Sequence, residues 1–230
     1  MSQQGVRERL QTLLDRVREA ERRAGRGQGV VKLLPVTKGQ PQEVVTSAVQ
    51  LGLQELGENY LQECLRKERE LEGVAGERVS WHLLGHLQRN KVRRATQLFA
   101  VLESVDSLEL ARLISSARDG APPLPVLLEV ELTGLPGRTG FRAEVLEREL
   151  EQLLALPGIA VQGLMTVAAP GRPEAAFSTC RELAERLGRQ GHRPLPTLSM
   201  GMSGDFEQAI SEGSTEIRIG SLLFGERSTP

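Results

Sequence analysis

Residues 30–57 read VVKLLPVTKGQPQEVVTSAVQLGLQELG, and they hold the unit from which the chain is built. A β-branched and leucine-rich run predicts a strand over 30–37. A helical pattern follows over 41–51, and a second short strand over 53–57. The alternation continues with strands predicted near 79–84, 99–104, 125–131, 159–165, 196–200 and 215–219. Helical patterns fall near 59–72, 89–97, 107–118, 142–155, 173–189 and 203–211, and a last short helix begins at Leu222. Ahead of the first strand, Val6, Leu10, Leu13, Leu14 and Val17 recur at helical spacing and predict an amphipathic helix over 4–24, ended by GRGQG. Strand followed by helix, eight times over, predicts a parallel sheet with helical crossovers. Eight such units in one chain suit a single-domain (β/α)8 TIM barrel over 1–230 with an extra N-terminal helix. An open doubly wound sheet is the rival, but no Gly-x-Gly-x-x-Gly follows the first strand.

Composition narrows the function. The chain has 230 residues, 39% hydrophobic and 26% charged, as in an ordinary globular domain with a substantial core. A formal net charge of −1 lacks the basic excess of nucleic-acid binders. The arginines alternate with glutamates, as in RVREAERRAGR, which reads as a solvated helix face. Cys64 and Cys180 make neither a disulfide framework nor a metal cluster, so a reducing compartment is expected. The charged first residues lack the apolar segment of a signal peptide, and no stretch approaches the ~18 apolar residues of a membrane helix. A cytoplasmic protein with no membrane or nucleic-acid partner is the expectation.

In a barrel of this kind function gathers where strands end and the loops toward helices begin. Lys38 closes strand one. His82, Gly85 and His86 close strand three, and Met165 and Thr166 close strand six. Strand periodicity turns Leu34, Val36 and Lys38 toward the barrel axis and Leu33, Pro35 and Thr37 toward the helices. In STEIRIGS the same rule puts Ile217 and Ile219 outside, and Glu216 and Arg218 inside. A buried guanidinium requires a partner, so Arg218 either pairs with Glu216 or another carboxylate as structural glue or donates to a ligand. A strand-end lysine can snorkel into water. Partly desolvated near Arg218, it becomes a free amine for carbonyl chemistry. The loops LSMGMSGD and RIGSLLFG offer Gly201, Gly204 and Gly220 for close backbone approach, with Ser199, Ser203 and Ser221 as donors, at the usual phosphate position of the fold. His82 either lines the pocket or is a satisfied core histidine, and no metal site is expected from His82 and His86. These residues by themselves also fit a Schiff-base aldolase acting on a sugar phosphate.

The motifs PVTKGQP, LGENYLQE, WHLLGHLQRNK, SVDS, GRTGF, GLMTVA and LSMGMSGDFEQAISEGSTEIRIGSLLFGER run in order over 30–227. In them the chain resembles the YggS/PROSC family of pyridoxal 5′-phosphate (PLP) homeostasis proteins, which share the alanine racemase N-terminal fold and belong to fold type III of PLP-binding proteins. The resemblance implies that Lys38 holds PLP as an internal aldimine and that Arg218 faces the pyridine nitrogen. It also implies that Gly220 and Ser221, with Ser199, Ser203 and nearby groups, hold the phosphate, and that Asn59 and Met165 line the pocket. Members of the family buffer or deliver PLP, so apo PLP-enzymes are the implied partners, without a dedicated reaction of the protein itself. The alternative is a PLP-dependent racemase or lyase. Racemases with the same arginine use a tyrosine from an added β-domain. The chain ends at Pro230 and its sole tyrosine is Tyr60, so no such domain and a monomer are expected.

Some positions depart from the family pattern. The loop after strand five carries Glu131, Leu135 and Arg138 where an asparagine, a glutamate and a lysine are usual. An arginine forms no stable aldimine, so that loop loses a PLP-accepting amine. The acid pair after strand seven is reduced to Gly204–Asp205.

Overall fold

The first apolar stripe folds as its spacing dictates. In the computed structural model, which describes residues 3–72 and 79–226, helix α1 spans Gln3–Arg23 and buries Val6, Leu13, Val17 and Ala20. The buried Glu21 carboxylate then accepts the Gly29 and Val31 N–H groups, both at 2.9 Å, and so turns the chain into the first strand. Strand and helix alternate from there: β1 (Lys32–Pro35), α2 (Gln42–Gln50), β2 (Glu55–Glu58), α3 (Leu61–Leu71), β3 (Ser80–Leu83) and, after a short 3-10 turn, α4 (Val92–Leu98). The series continues with β4 (Val101–Val105), α5 (Leu108–Ala117), β5 (Leu124–Glu129), α6 (Ala143–Leu154), β6 (Ile159–Met165), α7 (Pro173–Gln190), β7 (Thr197–Ser199), α8 (Phe206–Ser211), β8 (Glu216–Ile219) and α9 (Ser221–Phe224). Arg227, the last residue of the longest quoted motif, lies outside the described residues.

All strand pairs are parallel, in the order β1-β8-β7-β6-β5-β4-β3-β2. The two ends of that order meet through a parallel bridge between Val36 and Gly57, where the Thr37 N–H donates to the Gly57 carbonyl at 3.0 Å. The expected (β/α)8 barrel is therefore what the chain forms. Closure removes the exposed sheet edges that an open parallel sheet would leave.

The apolar side chains partition by strand face. Trp81 and Leu83 of β3 point outward into a continuous core with Phe177 and Leu183 of α7 and Leu146 and Leu150 of α6. Ile217 and Ile219 of β8 join a second cluster with Val6, Leu13 and Val17 of α1 and with Phe206 and Leu223. The N-terminal helix thus covers the β8–β1 side of the barrel. Among the described residues no helix is long and apolar enough to cross a membrane. Cys64 and Cys180 are both free and buried, and burial pushes the Cys180 thiol up to about 12.

Candidate functional site

Lys38 leaves the strand one turn beyond β1. The Gln40 N–H donates to the Thr37 carbonyl at 3.0 Å, and Gly39 takes φ +70°. This is the β-turn geometry that requires a positive φ at its third position, which glycine adopts without strain. Lys38 occupies the second position of the turn, and its side chain enters a pocket of about 250 Å³ at the C-terminal mouth of the barrel.

That pocket gathers most of the residues singled out from the sequence. Lys38, Asn59, Met165, Ser203, Arg218, Gly220 and Ser221 all line it. Gly204, also singled out from the sequence, lines it too, and Val36, Gln40, Leu84, Val167, Met202 and Gly225 complete the lining. Apart from Val36, turned inward by strand alternation, these are apolar or neutral loop residues without a distinctive sequence signal. Gln40 donates from Nε2 to the Gly225 carbonyl at 3.4 Å and so ties the Lys38 turn to the end of α9.

Ser199 is the exception. It is fully buried below the pocket, where its hydroxyl donates to Glu103 Oε2 at 2.6 Å and accepts from Arg218 Nη1 at 2.9 Å. Its proton is committed to a carboxylate, so it is no phosphate donor in this arrangement. Its effect is to hold Arg218. The guanidinium also donates to the Ser199 carbonyl at 2.6 Å and to the Thr166 carbonyl at 2.8 Å. Among the described residues neither Glu216 nor another carboxylate forms an ion pair with it; Glu216 Oε2 instead meets Lys32 Nζ at 3.1 Å. The Arg218 side chain also lines the pocket.

Asn59 is positioned by a missing side chain. A Cβ on Gly85 would sit 2.3 Å from the Asn59 carbonyl oxygen, so only glycine lets the β3 loop pass so close to the β2 loop. Asn59 Oδ1 is buried without a hydrogen-bond partner among the described residues. An orphaned polar atom at a pocket wall is an acceptor waiting for a ligand. Gly85→Ala is therefore expected to displace Asn59 and to weaken ligand binding by about tenfold, measured by titration against the parent chain.

Below the pocket the barrel axis is ionic. The His82 Nδ1 lies 2.7 Å from Glu103 Oε1 and its Nε2 lies 3.0 Å from Glu55 Oε2, while Lys32 bonds both Glu55 and Glu216. His82 is thus a satisfied core histidine. Donor atoms of His82, Glu103 and Glu216 fall within 4.8 Å of one another, but both ring nitrogens already meet carboxylates and Lys32 adds a cation.

His82 and Glu216 are shifted upward, while hydrogen bonds to His82 hold Glu55 down and, against burial, Glu103 as well. Burial disfavours the imidazolium, but hydrogen bonds to Glu103 and Glu55 outweigh it and push His82 up to about 9. Burial, with the adjacent Glu103 charge, raises Glu216 to about 7. A raised folded pKa means that the folded state keeps its protons longer, so stability falls as pH rises. The His82 contribution is whole below its ordinary value of 6.5 and is lost through about 9; that of Glu216 falls away between 4.5 and about 7. Melting temperature is expected to decline across that range, and His82→Phe to flatten the upper part. A flat profile in the parent chain would contradict this account.

The departures from the family pattern lie beside the mouth. Glu131 accepts the Thr133 N–H at 2.7 Å, the Thr133 hydroxyl, and the Gly134 N–H at 3.0 Å, so it caps its own loop. Leu135 is exposed. Asp205 Oδ1 accepts the Met202 N–H at 2.6 Å and shapes the loop that brings Gly204 to the pocket. Tyr60 is 66% exposed and does not line the pocket.

Comparison with known proteins gives a consistent picture. The family described as the alanine racemase N-terminal domain matches residues 9–228. The pyridoxal phosphate homeostasis protein of Pseudomonas aeruginosa is 40% identical over 227 residues, covering 96% of each chain. The protein of the same description from Aquifex aeolicus is 41% identical over 225 residues, covering 96% of this chain and 97% of that one. The structure of PipY from Synechococcus elongatus with PLP bound superposes with a TM-score of 0.84 at 34% identity, covering 96% of this chain and all of that one (100%).

Proposed function

The chain belongs to the pyridoxal phosphate homeostasis proteins, built on the alanine racemase N-terminal domain, and from that premise we propose that Lys38 holds PLP covalently in the barrel-mouth pocket. It is a PLP-binding protein, and its task in this reading is to keep and hand on the cofactor. The observation that carries the reading is the convergence on one pocket of the Lys38 amine, the Arg218 guanidinium, the orphaned Asn59 oxygen and the Gly220–Ser221 turn.

PLP supplies an aldehyde that condenses with a primary amine, releasing water, and a ring that can delocalise charge. The residues present fit it. Lys38 is the primary amine. Ser203, Ser221 and the start of α9 at Gly220 form the cradle for the phosphate, and a Cβ on Gly220 would come within 3.2 Å of the Val36 carbonyl, so the turn can lie close against β1. Asn59 and Met165, which line the pocket, would flank the ring. Arg218 would donate to the ring nitrogen.

Arg218 also limits the chemistry. A guanidinium donates and does not accept a proton, so a ring nitrogen facing it stays unprotonated and draws electrons weakly. Arg218 is fixed by two carbonyls and a serine, and nothing in that arrangement hands the ring a proton. Holding and release suit this site better than turnover. Apo-enzymes that need PLP are the recipients in this reading.

Borohydride reduction of the PLP-loaded protein, followed by peptide mapping, is expected to place the adduct on the Lys38 peptide. A protein that takes up no PLP with Lys38 intact would overturn the reading. For the racemase or lyase alternative, amino acids incubated in heavy water are expected to show no α-proton exchange at turnover rates near ~1 s⁻¹. Exchange at that rate would replace the homeostasis reading with an enzymatic one.

A further inference from the structure

Behind the Lys38 turn lies a charge cluster that does not line the cofactor pocket. Lys67 of α3 is fully buried, and its ammonium directs three N–H bonds to the Thr37 carbonyl at 2.6 Å, Glu58 Oε1 at 2.6 Å and Glu63 Oε1 at 2.7 Å. The two carboxylates extend the brace. The Thr37 hydroxyl donates to Glu58 Oε1 at 2.6 Å, and the Gly39 N–H donates to Glu63 Oε1 at 2.7 Å. The residues on either side of Lys38 are therefore tied to one ammonium, Thr37 directly and Gly39 through Glu63.

A buried ion pair that only fastened α3 to β2 would need Lys67 and Glu58 alone. Here the third ammonium proton, the Thr37 hydroxyl and the Gly39 N–H all converge on the turn after β1. Full desolvation of a lysine is costly, and the cost is offset only when each proton finds an acceptor, as happens here.

We propose that Lys67 is a positioning residue for the cofactor lysine, fixing the backbone from which Lys38 reaches the PLP aldehyde. The proposal rests on Lys38 being the PLP-bearing residue. A primary amine must approach a carbonyl carbon within a narrow range of directions. Rotation of the peptide planes at 37–39 would move the root of the side chain by enough to lose that alignment. The phosphate cradle stands on other loops, those after β7 and β8, so it does not depend on Lys67.

The test separates holding from attachment. In Lys67→Met/Glu58→Gln the ammonium and its deepest carboxylate charge are removed together, leaving no unpaired charge in the fully buried position. Purified apo-protein is mixed with PLP and read in two ways: total PLP retained at equilibrium, and PLP fixed to the Lys38 peptide by borohydride as a function of time. Retention through the cradle is expected to persist, while the rate of covalent attachment falls roughly 10–100-fold. Val6→Ala, a fully buried truncation in α1, is the control: it lowers the melting temperature but leaves the attachment rate at the parent value. Should the double variant fail to fold, Glu63→Gln carries the test, because its partly exposed side chain tolerates neutralisation while the Gly39 tether weakens. It is expected to slow attachment in the same sense.

Attachment at the parent rate in the folded double variant, or in Glu63→Gln where that variant fails to fold, overturns the proposal. So does equal slowing in Val6→Ala. Failure of the underlying PLP reading looks different: the parent chain itself then yields no borohydride-fixed PLP on Lys38.

Discussion

Lys38→Ala is expected to abolish the visible absorption of the PLP-loaded protein and to weaken PLP retention at least ~100-fold, equivalent to about 2.7 kcal/mol. The substitution removes the only primary amine among the residues that line the pocket, so no covalent link can form there. Arg218, Asn59, Ser203 and the Gly220–Ser221 turn remain, so weak non-covalent binding through ring and phosphate should survive. Lys38 lies on a turn at the pocket mouth and is only partly buried, so the apo-protein should keep its stability to within about 1 kcal/mol. Spectral titration and equilibrium dialysis, with a thermal melt of the same sample, measure all three quantities. Parent-like absorption in the variant would mean that another amine carries the cofactor. A large loss of stability would mean that the lysine serves the fold.

The second large effect concerns the barrel itself. Trp81→Ala is expected to destabilise the protein by about 3–5 kcal/mol, the range for emptying a large aromatic site in a core. Trp81 is fully buried on the outward face of β3, within the main apolar cluster, and its Nε1–H donates to Glu68 of α3. Truncation leaves a cavity between sheet and helix and removes that tie. Against a total stability of roughly 5–15 kcal/mol this is a large fraction. For a chain of this size it corresponds to a fall in melting temperature of roughly 6–20 °C. Trp81→Phe should recover most of the loss because it refills much of the volume. A change below about 1 kcal/mol in the alanine variant would mean that the site collapses around the deletion.

These two residues also differ in how readable they were. Trp81 belongs to an apolar strand run, and a residue on such a strand is expected in the core whatever its neighbours. Alternation from Leu34 and Val36 points Lys38 to the axis side; in the structure β1 ends at Pro35 and Lys38 reaches the pocket from the turn that follows, not as the last strand residue. The same alternation turns Arg218 inward from Ile217 and Ile219. What holds Arg218 comes from residues far along the chain, Ser199 and Thr166. Ser199 was expected at the phosphate, but its hydroxyl is turned by Glu103, which lies 96 residues away in sequence. Periodicity gives a face, and the direction of a hydroxyl on that face depends on a partner from another strand.

Lys67 makes the same point from the opposite side. It lies in the run RKERE, between charged residues, where helical pattern reasoning reads a solvated lysine. Its burial follows from α3 packing over the Lys38 turn, which brings the Thr37 carbonyl from the turn after β1 and Glu58 from β2 to one ammonium. His82 likewise acquires its charge from Glu55 and Glu103, on two flanking strands.

The sequence by itself determined the alternation of strands and helices, the amphipathic first helix, the inward faces of β1 and β8 and the loops that gather at one rim. All of these are carried by the spacing of residues within one element or between adjacent ones. Only the tertiary structure decided the closure of β1 on β2 through Val36 and Gly57, the seat of Arg218 on Ser199 and Thr166, and the burial of Lys67 beneath Lys38. Each of those depends on bringing together groups distant along the chain, where desolvation and hydrogen-bond geometry, rather than local periodicity, set the outcome.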